Sequence, residues 1–112
     1  MSGIKKHNPI YDPLGIEIFA IDETFESVFN GLKGVYFRLY YKESKRPKGL
    51  RNLQKEKDFY KRFGEIRKLK KSYRYNDWEA KREAVDIYAI ELRQMLDIEL
   101  RQYATLHVSD TK

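Results

Sequence analysis

Between residues 25 and 40 the apolar side chains recur at the spacing of a single helix face. Phe25, Val28, Phe29, Leu32, Val35, Tyr36, Leu39 and Tyr40 fall at i, i+3, i+4 and i+7, which lays a continuous apolar stripe along an α-helix. A stripe that long must be covered, and the commonest cover for a helix in a small domain is another helix. Asp22 stands before it as a candidate N-cap, and Glu23 and Glu26 fall in the first turn, where the helix dipole favours acidic residues. The pattern predicts a first helix over about residues 22–44.

Part of the same stretch also fits a strand. Val35, Phe37, Leu39 and Tyr41 alternate with Tyr36, Arg38, Tyr40 and Lys42, the period of two expected of a pleated strand. Gly31 and Gly34 each cost about 1 kcal/mol inside a helix, so "GLKG" could end one. The short β-prone run "GIEIFAI" (15–21) would then supply a partner strand. The longer helical template gives the predicted fold: mainly α, a three-helix domain with an extended N-terminal arm. The alternative is α+β, with a small sheet made from 15–21 and 35–42. The predicted organisation is an arm over 1–21, containing Pro9 and Pro13, a helical domain over 22–106, and a tail over 107–112 that should fray.

"KESKRPKG" (42–49) ends the first element through Pro47 and Gly49. Phe59, Tyr60, Phe63, Ile66, Leu69 and Tyr73 then mark a second amphipathic helix, about 51–73, whose other face carries Lys57, Lys61, Lys68 and Lys71. Asn76 followed by Glu79 fits a reciprocal capping pattern, with Asp77 and Lys81 as a supporting pair, and starts a third helix over about 77–105. Its middle is apolar on several sides, through Ala84, Val85, Ile87, Tyr88, Ala89, Ile90 and Leu92. Such a helix is either central to the bundle or meets another chain.

Several kinds of chemistry have no residues to perform them. The chain has no cysteine, which excludes disulfides, thiolate metal sites and cysteine nucleophiles. Its two histidines, His7 and His107, are far apart, and no glycine-rich phosphate loop or nucleophile elbow occurs. We expect no enzyme activity, metal or cofactor. No apolar run approaches the roughly 18 residues of a spanning helix, and the start lacks the apolar core of a secretory signal. The expectation is an intracellular chain, soluble or peripheral to something larger.

Charge is the strongest functional signal. Residues 33–75 carry sixteen Lys/Arg against four Asp/Glu, a net of +12, while the segments on either side are each −3. A basic middle between acidic ends gives a directed field that attracts an anionic partner. The candidate basic face comprises Arg38, Lys42, Lys45, Arg46, Lys48, Arg51, Lys61, Lys68 and Lys71. Tyrosine and phenylalanine interleave with it, as on surfaces that bind phosphates and stack bases. A nucleic-acid-binding protein, ribosomal or viral, using segment 35–74 is therefore the alternative to a protein adaptor.

"FRLYYKESKRP" (37–47), followed by a basic helix and a long third helix, resembles the LYR-motif proteins of mitochondria. Leu39 and Tyr40 match the first two motif positions; the third is Tyr41 rather than arginine, with Lys42, Lys45 and Arg46 close behind. The resemblance implies a small three-helix accessory subunit or assembly factor of a respiratory complex, a mitochondrial location and often an acyl carrier protein as partner. "YDPLGIE" (11–17), through Tyr11, Leu14 and Gly15, together with the Trp78 helix, is similar to the small ubiquinone-binding-protein subunits of cytochrome bc1 complexes. The expected function is a non-catalytic basic subunit or adaptor of a larger assembly. It would dock an acidic partner, whether carrier protein, anionic lipid or RNA.

Overall fold

The computed structural model describes the backbone of residues 15–111 and the side chains of residues 17–103. Three helices follow in order: α1 (Ile16–Ser44), α2 (Leu53–Ser72) and α3 (Trp78–Thr111). No strand occurs among the described residues. The predicted three-helix architecture is the observed one, and the small sheet is not. Residues 1–14 of the predicted arm lie outside the described residues.

α1 is the centre of the bundle. It packs along its length against both α2 and α3, whereas the backbones of those two rarely come close and are bridged by side chains such as Arg62 to Glu91 and Phe59 to Tyr103. Phe25 meets Tyr73, Phe37 meets Phe63 and Tyr40 meets Tyr60, so α2 runs antiparallel to α1. Asp22 bonds Lys81, Tyr36 bonds Glu91 and Glu43 bonds Tyr103, so α3 runs parallel to it. The bundle is slender, 61 × 26 × 21 Å. Its core is a single line of side chains: Phe25, Val28, Phe29, Leu32, Val35, Tyr36 and Leu39 of α1, with Ile66, Ala84 and Tyr103. The third helix is therefore not the central one.

The first helix begins six residues before its predicted start. "IEIFAI" was expected as strand or extended arm, yet Ile21 is buried and continues the α1 stripe at four and seven residues before Phe25 and Val28. A strand there would have no partner, because 35–42 is helical. Gly15, with φ +72°, turns the chain into the helix, a conformation glycine adopts without steric cost. Asp22 is thus inside α1, and its carboxylate accepts from Lys81 Nζ at 2.9 Å instead of capping.

The other helix ends follow local chemistry. Asn52 caps α2 by accepting from the Lys55 amide at 3.0 Å. Asp77, not Asn76, caps α3 through the Ala80 amide at 3.1 Å. Lys81 is drawn to Asp22 and to the Tyr75 carbonyl, so the expected Asp77–Lys81 pair does not form. α3 continues helical through most of the predicted tail, to Thr111.

Two helical glycines have opposite surroundings. A Cβ on Gly31 would lie 2.9 Å from Leu92 Cδ2, where α1 and α3 approach closely, whereas Gly64 faces open space. Gly64→Ala should raise folding stability by about 1 kcal/mol. Gly31→Val should lower it by about 1–3 kcal/mol through overpacking. Urea denaturation of the two variants checks both signs.

Candidate partner-binding surface

Many of the cations predicted for a binding face are consumed inside the bundle. Glu43, wholly buried near the end of α1, accepts from the Tyr103 hydroxyl at 2.5 Å and from the Asn52 amide at 2.6 Å. Arg46 lies 3.7 Å from the same carboxylate, donates to the Gln102 carbonyl at 3.1 Å and sits over the Tyr103 ring. This cluster ties the end of α1, the α1–α2 loop and α3 together. Burial, then the Glu43 carboxylate, pushes the Tyr103 hydroxyl well above its ordinary pKa.

Arg38 and Lys42 are likewise interhelical. Both donate to Glu99 of α3, at 2.8 and 2.9 Å, and the Arg38 hydrogen bond holds the Glu99 carboxyl below the usual carboxylate range. Glu91, also on α3, accepts from Arg62 at 2.7 and 2.9 Å and from the Tyr36 hydroxyl at 2.5 Å, and Arg62 depresses its pKa in turn. Arg51 makes a bidentate contact with Glu56 at 2.8 Å. Of the nine predicted basic-face residues, Arg38, Lys42, Arg46 and Arg51 therefore hold the fold. No side-chain nitrogen or oxygen buried among the described residues lacks a partner.

The others remain available. Lys45 rests over the Tyr41 ring at 5.2 Å. Lys48, Lys61, Lys68 and Lys71 are exposed and none is bound to a carboxylate among the described residues. Lys57 joins them. With Lys61, Lys68 and Lys71 it forms one line along α2, fourteen residues and about 21 Å long. Beyond them the charge crowds. The Lys33 pKa is lowered, by burial first and then by the like charges of Lys70, Arg67 and Lys71.

Apolar side chains lie beside this line. Phe37, Tyr41, Leu50, Leu53 and Tyr60 are all exposed, Leu50 by 67% and Leu53 by 59%. Tyr40 joins α1 to α2 here, with its ring 5.0 Å from Tyr60 and 5.9 Å from Phe37. Tyr40, Leu53, Glu56, Lys57, Tyr60 and Lys61 line a surface hollow of about 360 Å³. Phe37, Arg38, Tyr41 and Lys42 line a second of about 330 Å³. Leu39, of the motif-like pair, is fully buried.

Sequence reading missed Leu50, Leu53 and Tyr60 as surface groups. Tyr60 follows the apolar period of α2 but lies at the edge of its face, and nothing local distinguishes an exposed leucine in a turn from a packed one. Lys57 was legible, four residues before Lys61. Among the described residues no group of histidine, cysteine or acidic side chains is arranged to hold a metal ion. Neither histidine side chain is among those described. Comparison with protein-family models, curated proteins and solved structures returned no match.

The depressed Glu91 and Glu99 pKa values fix a direction for acid stability. Their contribution is fully present above the ordinary carboxylate pKa of about 4.3 and is lost as pH falls through their lower folded values. Thermal melting between neutral and strongly acidic pH should show that loss, and Glu99→Gln should flatten it. Glu43→Ala, which strands the Tyr103 hydroxyl and the Asn52 amide, should cost about 3–5 kcal/mol in urea denaturation.

Proposed function

We propose that this chain is a non-catalytic docking subunit that meets an anionic partner through the α1–α2 side and protein neighbours through α3. The observation that carries the reading is the coincidence of unpaired lysines with exposed aromatic and leucine side chains. Lys57 and Lys61 share a hollow with Tyr40, Leu53 and Tyr60, Lys45 lies over the exposed Tyr41 ring, and Lys48 adjoins the exposed Leu50 in the α1–α2 connection. Contiguous apolar surface rimmed by charge is the composition of an interaction site.

α3 adds a second apolar surface. Ile87, Ile90, Leu96 and Leu100 are exposed. The nine residues from Ile87 to Leu96 make about two and a half turns, so the pairs lie on opposite flanks of the helix. No described residue covers either flank, and a subunit set between two neighbours would bury both. The LYR-motif resemblance adds the setting of a mitochondrial respiratory complex to this proposal. Because Leu39 is in the core, motif contacts in that setting fall to Tyr40 and the lysines around it.

A nucleic-acid partner is the second reading, favoured by the exposed Tyr41 and Tyr60 rings beside lysines. The docking reading is tested by placing a photo-crosslinking residue at Ile87, Leu100 or Tyr60 in the native cell, with Glu23 as an exposed control. Discrete protein adducts at Ile87 and Leu100, absent at Glu23, are expected. A chain that yields none at these positions and migrates as a free monomer overturns it.

A further inference from the structure

We propose that the Leu50 end of the α1–α2 side docks on an anionic lipid surface, with Leu50 and Leu53 entering the interface and the surrounding lysines meeting headgroup phosphates. The proposal rests on the docking reading above and names the partner of that one surface.

The geometry begins at the α1–α2 connection. The Leu50 and Arg51 amides donate to the Pro47 carbonyl at 2.8 and 3.0 Å, which closes a tight turn. Asn52 then caps α2 and fixes Leu53 in its first turn. Leu50 and Leu53, on either side of that cap, are both largely exposed, and no described contact requires either to be apolar. Leu53 continues into the hollow with Tyr40, Lys57, Tyr60 and Lys61. Tyr41 and Phe37 extend the apolar surface along α1.

Charge complementarity selects the partner. Lys57 and Lys61 line the hollow with Leu53, and Lys48 lies two residues before Leu50; like Lys45 over Tyr41, none has a carboxylate partner among the described residues. Of the nearby acids, Glu43 is buried and Glu56 is held by Arg51, while exposed Asp58, which accepts from the neutral Gln54 amide at 2.8 Å, keeps its charge. An anionic surface thus meets four lysines unpaired among the described residues against one uncompensated carboxylate, Asp58, at this end. Amphipathic elements bound at bilayer interfaces combine lysine with leucine and aromatic groups, the apolar side entering about 5–10 Å and the aromatic rings at headgroup level. Base stacking would use the tyrosines but gives exposed leucines at a turn no role. No described helix is long and apolar enough to cross a membrane.

Sedimentation of the full chain with vesicles tests this. Binding is expected to vesicles of phosphatidylcholine mixed with phosphatidylglycerol, weakening as salt rises, and not to phosphatidylcholine alone. Leu50→Ser combined with Leu53→Ser should weaken binding by about tenfold while leaving the circular dichroism spectrum unchanged. Lys57→Gln with Lys61→Gln should weaken it as well. A tryptophan introduced as Leu50→Trp should shift to the blue on mixing with anionic vesicles, and one introduced as Ile87→Trp should not.

Absence of binding at low salt, or equal binding by the leucine double variant, overturns the proposal. So does tight binding of a single-stranded oligonucleotide that competes with the vesicles and is insensitive to the leucine changes, which assigns the surface to nucleic acid. Crosslinks at Ile87 and Leu100 distinguish the two levels of inference: if they persist while vesicle binding fails, only the lipid assignment falls.

Discussion

The structure depends on one constraint: the apolar face of α1 is too long and too wide to be covered by a single helix. It runs from Ile21 to Leu39 and is buried throughout. α2 covers one side of it and α3 the other, and the chain returns twice to do so. Since both covering helices pack chiefly on α1 and meet each other through side chains such as Arg62 and Glu91, the core is one side chain deep, and no described residue covers the outer surfaces of α2 and α3. The exposed apolar groups that support a docking role are a consequence of this layout.

Polar contacts then set register along α1. Three carboxylates each collect more than one donor: Glu43 from α3 and the α1–α2 loop, Glu91 from α1 and α2, and Glu99 from two residues of α1. Apolar packing along a slender bundle is tolerant of sliding by a turn, whereas a buried carboxylate that must meet a particular hydroxyl and amide is not. Buried charge is weak evidence for added stability, and its role here is better described as specifying alignment. The cost is that Arg38, Lys42, Arg46 and Arg51, which look like binding residues in the sequence, are occupied internally.

What remains outside is a sorted surface. Among the described residues, lysines without carboxylate partners line α2 and border the α1–α2 loop, with exposed Leu53 and Tyr60 beside Lys57 and Lys61 and Tyr41 beside Lys45. Arginine holds most of the internal contacts, where its planar fork matches a carboxylate; lysine dominates the free line on α2, where a flexible point charge suits a diffuse anionic partner. This division separates the residues that hold the fold from those available to a partner.

The number of helices, their approximate limits and the identity of the α1 core were legible in the sequence, because an unbroken helical period over sixteen residues states both the element and its buried face. The net positive charge of the middle segment was legible too, being a sum over residues. The start of α1 was misread because "IEIFAI" is β-prone in isolation, and only the continuation of the buried face through Ile21 makes it helical. Which helix is central, and which cations are free, only the tertiary structure decided. Both depend on the partners that a residue meets some fifty or sixty positions away, as Arg38 meets Glu99, and local sequence carries no record of those distances.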